Sequence, residues 1–386
     1  MKIAVVHKAV CSSGGAEKHA KYIAELLGKK GFEVFVYANK CDIENNPEIF
    51  FRKINIIPFP RFLKILSFAI NSKKVLEKEK NDLVLALGNV FYQDVYFLGG
   101  GVYKSYVRAA LLKHRTIFGK MFRHIRRLLS PSHWLKLYIE KKIFVNSKTK
   151  YFICPSKIVA NDLKKNYGVD DSKIKIIVHG IDTDRFNAND KNSARQNIIK
   201  KFGFENNDFI FLFVSSNHLL KGLEPLLDAF KLLSSENKCA KLIVVGRGKE
   251  DLFRKKAEKL GLNDCVKFTG WQNDIREFYK ASDFFVYPSF YDPFPNVVLE
   301  SLACGLPAMV SSLTGASEII ENEKNGFVIK NPRDSGEFHL LLKNAFSLSR
   351  EKLSEMSVNA TKTVKEFSNE KHIEKIINLL EEICPA

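Results

Sequence analysis

Two acids, Asp292 and Glu300, stand eight positions apart in the stretch YDPFPNVVLESLACGLP, with Pro293 and Pro295 between them. The prolines break the chain after the apolar run DFFVYPS, and NVVLESLACG reads as a helix ended by Gly305 and Pro307. Asp292 then belongs to a loop before a helix N-terminus, and Glu300 lies one to two turns inside the helix. Such a pair does not flank one scissile bond, because acid/base carboxylates face each other across a ligand. It suits the acceptance of hydrogen bonds from hydroxyls at two ends of a small ligand, as one acid does for ribose in dinucleotide sites. The N–H groups of Phe294, Asn296 and Val297 remain for further polar atoms, while Pro295 offers only its carbonyl. The plainer account has Asp292 capping the helix and Glu300 in solvent.

Three other places invite a phosphate. Ser12-Ser13-Gly14-Gly15 precedes the first helix, where unpaired N–H groups and the macrodipole favour an anion; an ordinary glycine turn explains it equally well. Lys221 and Gly222 follow one apolar run and precede another, so the ammonium could neutralise phosphate oxygens or simply stand at a surface turn. The stretch GRG at 246–248 starts a dinucleotide fingerprint, but Asp251 takes the place of the third glycine, which argues against NAD. Asp182 and Asp184 have the spacing of metal carboxylates, yet their turn after His179-Gly180 favours local capping, and no metal is expected.

The elements that must position these residues alternate. KIAVVH, a glycine turn, a helix with Ala20, Ile23, Ala24 and Leu27 on one face, and EVFVYA make a β-loop-α-β unit. DLVLALG and YFICPS continue it. After IKIIVHGIDTDRF comes the polar run NANDKNSARQN, taken as the interdomain linker, and then sustained alternation from FIFLFVSS to PAMVSS. The pattern predicts an α/β protein with two Rossmann-like, doubly wound parallel sheets facing a cleft. The expected boundaries are 1–172, 173–365, and a C-terminal helix over 366–386 that crosses back to the first domain.

A chain of 386 residues has room for two such domains, and 45% hydrophobic residues is ordinary for a globular protein. No run of about 18 uncharged apolar residues predicts a membrane span, and MKIAVVHKAV has no signal-peptide pattern. Seven scattered cysteines without a C-x-x-C pair suggest thiols of a reducing cytosol. The net charge of +18 favours acidic partners, or it reflects only a lysine-rich surface.

Taken together, HGIDTDRF, the Lys-Gly turn, VVGRG, FTGW, YDPFPNVVLESLACGLPAMVSS with TGASEII, and NGFVI occur in one order over roughly 170–330. This half resembles the family 4 glycosyltransferases of the GT-B fold, and GGAE is similar to that family's N-terminal donor loop. DVYFLGGGVYKSYV (94–107) is similar to a stretch of lipopolysaccharide-core sugar transferases. The resemblance implies a retaining hexosyl transfer from a nucleotide-diphosphate sugar, with UDP as the expected nucleotide and no metal or other cofactor. It implies that Glu300 holds the ribose hydroxyls, that Asp292 with the backbone of Phe294, Asn296 and Val297 holds the sugar, and that Lys221 meets the diphosphate with Gly14 and Gly15. Lys221 and Asp292 are then the catalytic residues, Lys221 stabilising the departing diphosphate. Three departures stand out: Asp292 replaces the usual Glu, Ser216 replaces a basic residue, and Tyr103 replaces a His. Arg247 could supply the missing charge, and His7, His114 or no histidine could replace the lost one.

Between Lys104 and Lys142 lie eleven Lys/Arg against the single acid Glu140. Phe118, Phe122, Ile125 and Leu129 among them follow helical spacing. The segment 103–142 reads as a basic amphipathic arm for an anionic membrane surface, or as a core helix with a solvated basic face. No nucleic-acid motif accompanies the charge. The expected acceptor is a saccharide, lipid-linked or of lipopolysaccharide core, met by a cytoplasmic protein peripheral to the inner face of the cell membrane. The competing expectation is a catalytically silent carbohydrate-binding or scaffolding protein of the same fold.

Overall fold

In β1 (Lys2–Val6), Ile3, Ala4, Val5 and Val6 are all fully buried. Ile3 and Val5 enter one core with Val34, Val36, Leu83 and Leu85, whereas Ala4 and Val6 enter another with Tyr37, Val84 and Ala86. A strand covered on both faces wants parallel neighbours joined by crossover helices. The computed structural model has that arrangement twice; it describes residues 1–12, 14–43, 46–113, 116–145 and 148–384.

The chain divides into two compact units, Met1–Val178 with the segment from Glu370, and His179–Asn369. The first unit runs β1, β2 (Ala9–Val10), α1 (Gly15–Lys29), β3 (Glu33–Ala38), β4 (Lys40–Cys41), β5 (Ile49–Lys53), α2 (Arg61–Leu76), β6 (Leu83–Ala86) and β7 (Val95–Phe97). It continues with α3 (Tyr103–Leu112), α4 (Ile117–Leu128), α5 (Pro131–Phe144), β8 (Tyr151–Cys154), α6 (Lys157–Tyr167) and β9 (Ile174–Ile176). Its main sheet is parallel in the order β5-β3-β1-β6-β7-β8-β9, and β2 pairs with β4.

The second unit runs α7 (Lys191–Phe202), β10 (Phe209–Val214), α8 (Leu223–Glu236), β11 (Ala240–Val245), α9 (Glu250–Lys259), β12 (Val266–Gly270), α10 (Arg276–Ala281) and β13 (Phe284–Tyr287). Then come α11 (Asn296–Ala303), β14 (Ala308–Ser311), β15 (Gly326–Ile329), α12 (Ser335–Phe346) and α13 (Arg350–Val364). Its parallel sheet has the order β12-β11-β10-β13-β14-β15, which reverses at the first strand as in the first unit. Such a reversal leaves an open crevice at the strand C-termini, where α/β sheets bind ligands. The last helix, α14 (Asn369–Ile383), buries Ile373, Ile376, Leu379 and Leu380 in the core of the first unit, beside Ile3 and Val5.

The polar run expected to be a linker is in its second half a helix. In α7, Ala194 and Ile198, four residues apart, are buried, and Arg195 ties the helix down through Asp283 at 2.7 Å and the carbonyls of Ala281 and Asp208. Asn, Asp and Lys disguise a narrow apolar stripe here, and Gly203 in the left-handed region (φ 67°) ends the helix. No helix among the described residues is long and apolar enough to cross a membrane.

Candidate functional site

The loop between β13 and α11 carries Asp292, but not as a cap. The N-cap of α11 is Pro295, with no side-chain hydrogen bond, so the capping account of Asp292 fails. The carboxylate turns instead to Lys221: the ammonium donates to Oδ2 at 2.5 Å, and the Tyr287 hydroxyl donates to the same oxygen at 2.8 Å. The main chain of Asp292 is also fixed, since its carbonyl accepts from Gly315 N at 3.0 Å. Lys221 and Asp292, expected to meet different parts of a ligand, are thus an ion pair, and both side chains are largely buried.

Lys221 stands where β10 has ended and α8 begins. Its N–H donates to the Asn217 carbonyl at 3.0 Å, so Ser216 and Asn217 shape the turn without adding charge. The ammonium gives a second hydrogen bond to the Tyr291 carbonyl at 3.2 Å and lies 5.6 Å from the centre of the Tyr287 ring. An ammonium has three protons. Two have acceptors among the described residues, which leaves one for a ligand oxygen.

Glu300 is not left in solvent either. The hydroxyl of Tyr279, a fully buried residue of α10, donates to its Oε2 at 2.9 Å. Burial first, then the neighbouring carboxylate, raises the Tyr279 pKa, and the same two causes raise that of Tyr287. Both phenols are therefore donors at neutral pH, and each points its proton at one candidate ligand-binding acid. Sequence reasoning missed both tyrosines: Tyr287 sits inside the apolar run DFFVYPS, and Tyr279 in the mixed helix REFYKA. The available signal was that a buried tyrosine hydroxyl usually has a partner.

Phe294 is buried, Asn296 is exposed and Val297 half-buried at the start of α11. Their N–H groups precede the helix's first internal bond, as expected at an N-terminus. Arg247 is exposed and lies 6.0 Å from the centre of the Trp271 ring. No hydrogen bond or ion pair among the described residues joins it to Lys221, Asp292 or Glu300. Gly246 has φ 115°, and a Cβ there would come within 2.0 Å of the Ser215 carbonyl oxygen. GRG is thus the close approach of β11 to the end of β10, which accounts for its glycine without a dinucleotide. Asp182 Oδ1 accepts from Arg185 N at 2.9 Å, a local turn cap. Among the described residues no group of three His, Cys, Asp or Glu could hold a metal ion.

In the first unit Gly14 and Gly15 open α1. Gly14 has φ 90°, and a Cβ on it would lie 2.3 Å from Glu17 Oε2. His7, at the end of β1, is buried, and burial lowers its pKa; its Nδ1 lies 2.5 Å from the Ala9 carbonyl oxygen. It lines a cavity of about 460 Å³ together with Glu17, Arg61, Gly88, Asn89 and Lys136. His114 lies outside the described residues. The histidine beside Tyr103 is His133, which the sequence reading did not single out: its Nδ1 is 3.1 Å from the Tyr103 hydroxyl.

Within the basic arm α4 departs from the core-helix account, whereas Ile139 of α5 joins the core. Every apolar side chain of α4 is exposed, from Ile117 at 81%, Phe118 at 79% and Phe122 at 69% to Leu128 at 43%. Its arginines 123 and 127 are the half-buried side chains. The helix is therefore inside out relative to a core helix.

Comparison with known proteins agrees with this architecture. Residues 13–185 match the family described as Glycosyltransferase Family 4, and residues 194–363 match Glycosyl transferases group 1. An uncharacterised glycosyltransferase of Methanocaldococcus jannaschii is 28% identical over 83% of this chain and 82% of its own. The UDP-Gal:alpha-D-GlcNAc-diphosphoundecaprenol alpha-1,3-galactosyltransferase of Escherichia coli is 28% identical over 69% of this chain and 67% of its own. The lipopolysaccharide glucosyltransferase WaaG of Escherichia coli is 24% identical over 87% of each chain. A crystal structure of WaaG superposes with a TM-score of 0.80 over 100% of both chains at 21% identity, which shows the shared fold.

Proposed function

Because this chain belongs to the family 4 glycosyltransferases and has their GT-B fold, we propose that it moves a hexose, with retention, from a UDP-sugar to a saccharide acceptor that is lipid-linked or part of a lipopolysaccharide core. It is a glycosyltransferase related to lipopolysaccharide and lipid-linked sugar transferases. The donor and acceptor follow from two of those relatives, whose names specify UDP-galactose with a diphosphoundecaprenol acceptor and lipopolysaccharide.

The observation that carries the donor reading is the paired arrangement around α11. Tyr287 and Lys221 fix Asp292 just before the helix, and Tyr279 fixes Glu300 within it. In this reading Glu300 accepts from the ribose hydroxyls, and Asp292 with the N–H groups of Phe294, Asn296 and Val297 takes the sugar. The remaining ammonium proton of Lys221 meets the diphosphate. As the bond from the anomeric carbon to the diphosphate oxygen breaks, negative charge grows on the leaving group and positive charge on the sugar ring. Lys221 stabilises the first, and a fixed positive charge there needs no reorganisation during the reaction. No metal enters this scheme.

The test incubates the protein with a panel of nucleotide sugars and follows release of the nucleoside diphosphate. Release from one UDP-hexose, accelerated by a saccharide acceptor, is expected. Binding of UDP that Glu300→Gln leaves unchanged would overturn the placement of the ribose.

We place the enzyme at the cytoplasmic face of the membrane, held there by α4. Its exposed Ile117, Phe118 and Phe122 can enter the headgroup region while nearby cations meet anionic lipid. Flotation with phosphatidylglycerol vesicles at low salt should recover the protein. The variant Phe118→Glu/Phe122→Glu should bind at least about tenfold more weakly, since burying each ring contributes about 1.5–3 kcal/mol. Equal flotation of the two proteins would remove α4 as the anchor.

A further inference from the structure

We propose that the cavity between α3, α4 and α5 is a binding site for a phosphoryl group of the acceptor. The cavity measures about 450 Å³, and Arg61, Arg123, Arg126, Arg127 and Lys136 line it, with no carboxylate among its described lining residues. Such a volume suits a phosphate or diphosphate with part of its attached sugar.

The surrounding acid is committed elsewhere. Glu140, the one acid of this segment, is buried and accepts from Tyr103 N, from Lys104 N at 3.1 Å and from the Tyr167 hydroxyl at 2.5 Å. It anchors the start of α3 and leaves the cations uncompensated. None of the five has an ion-pair partner among the described residues.

Their mutual repulsion adds to burial in disfavouring the charged forms. Burial first and then Arg123 lower the Arg127 pKa, while burial and then Arg61 lower that of Lys136. Like charges held together at half-buried positions are unfavourable unless an anion joins them. Arg123 Nε is buried with no hydrogen-bond partner among the described residues, and a buried donor without an acceptor is itself costly. Arg127 is held in place by its bond to the Val107 carbonyl at 2.6 Å, and Lys136 lies 4.9 Å from the centre of the Tyr103 ring. The guanidinium fork matches phosphate oxygens in pairs, which a lysine cluster does not.

The position connects this site to the chemistry. Arg61 and Lys136 also line the cavity that ends at His7, Gly88 and Asn89, so the two spaces share a wall. The second lies at the C-terminal end of β1 and β6, the ligand end of a parallel sheet. A saccharide there can place its phosphoryl group among the arginines. The word acceptor rests on the transferase reading; the anion site does not.

Isothermal titration of the full chain with sodium pyrophosphate tests the site. Saturable binding is expected that persists in Lys221→Met, which removes the donor-side contact, and that is weakened at least about tenfold when Arg123→Gln/Arg126→Gln is introduced. Arg126→Gln alone, at an exposed position, should weaken it in the same direction and guards against a folding defect in the double variant. Absence of saturable binding overturns the proposal, as does binding lost in Lys221→Met but kept in the arginine variants. Phosphatidylglycerol vesicles are then added to the pyrophosphate complex. No displacement supports a phosphoryl group of the acceptor, whereas displacement would assign the site to lipid headgroups and overturn the acceptor assignment. Binding as expected in a protein that releases no nucleoside diphosphate from any donor keeps the site and sinks the donor reading instead.

Discussion

Lys221→Met should lower kcat/KM for sugar transfer about 100- to 1000-fold, the range seen when one fixed electrostatic contact to a developing charge is removed. Methionine keeps the length and much of the packing against Tyr287 but supplies no proton and no charge. The loss should fall mainly on kcat, because charge on the diphosphate grows only as the bond breaks. The variant also leaves Asp292 with Tyr287 as its remaining side-chain donor, so some stability is lost with the ion pair. Circular dichroism and a melting curve separate the two effects. A folded variant with an unchanged rate would show that Lys221 holds the loop and nothing more.

Gly222→Ala should destabilise the second unit by about 3 kcal/mol, combining a left-handed backbone cost of about 1–2 kcal/mol with a clash of similar size. Gly222 has φ 81°, and an added Cβ would lie 2.1 Å from the Pro288 carbonyl oxygen. A backbone oxygen cannot rotate away as a side chain can. For a unit of this size the melting temperature should fall by about 6–12 °C. Gly203→Ala is the control: φ is 67°, but nothing lies within 4 Å of its Cβ position, so only the backbone cost of about 1–2 kcal/mol applies. Equal shifts in the two variants would mean that the turn before α8 relaxes freely, and that Lys221 is less firmly placed than its contacts imply.

The parallel sheets were legible because strands buried on both faces leave a compact signature. KIAVV, EVFVYA and FIFLFV are nearly all apolar and end at histidine, asparagine and serine. α7 was not legible, since its apolar stripe is only Ala194 and Ile198 and its anchor is the charge of Arg195. In the candidate site the acids and the lysine could be named from their turns. Their pairing could not: Lys221 and Asp292 are 71 residues apart, and only the folded sheet brings the ends of β10 and β13 together. Tyr279 was hidden for the same reason, being 21 residues from Glu300, whereas Tyr287 was hidden by the apolar run around it. The exposed face of α4 was ambiguous because helical spacing shows which residues share a side, not whether protein covers that side.

The placement of α14 has a consequence for how the chain is made. Ile373, Ile376, Leu379 and Leu380 fill space beside Ile3, Val5 and Leu83, residues that leave the ribosome hundreds of positions earlier. During synthesis the amino-terminal sheet waits with one oily face covered only in part, by α1, while the whole second unit emerges and folds. Nascent chains stalled before Glu370 should therefore be sticky, chaperone-bound species, and the protein becomes complete only when its tail reaches back to its beginning.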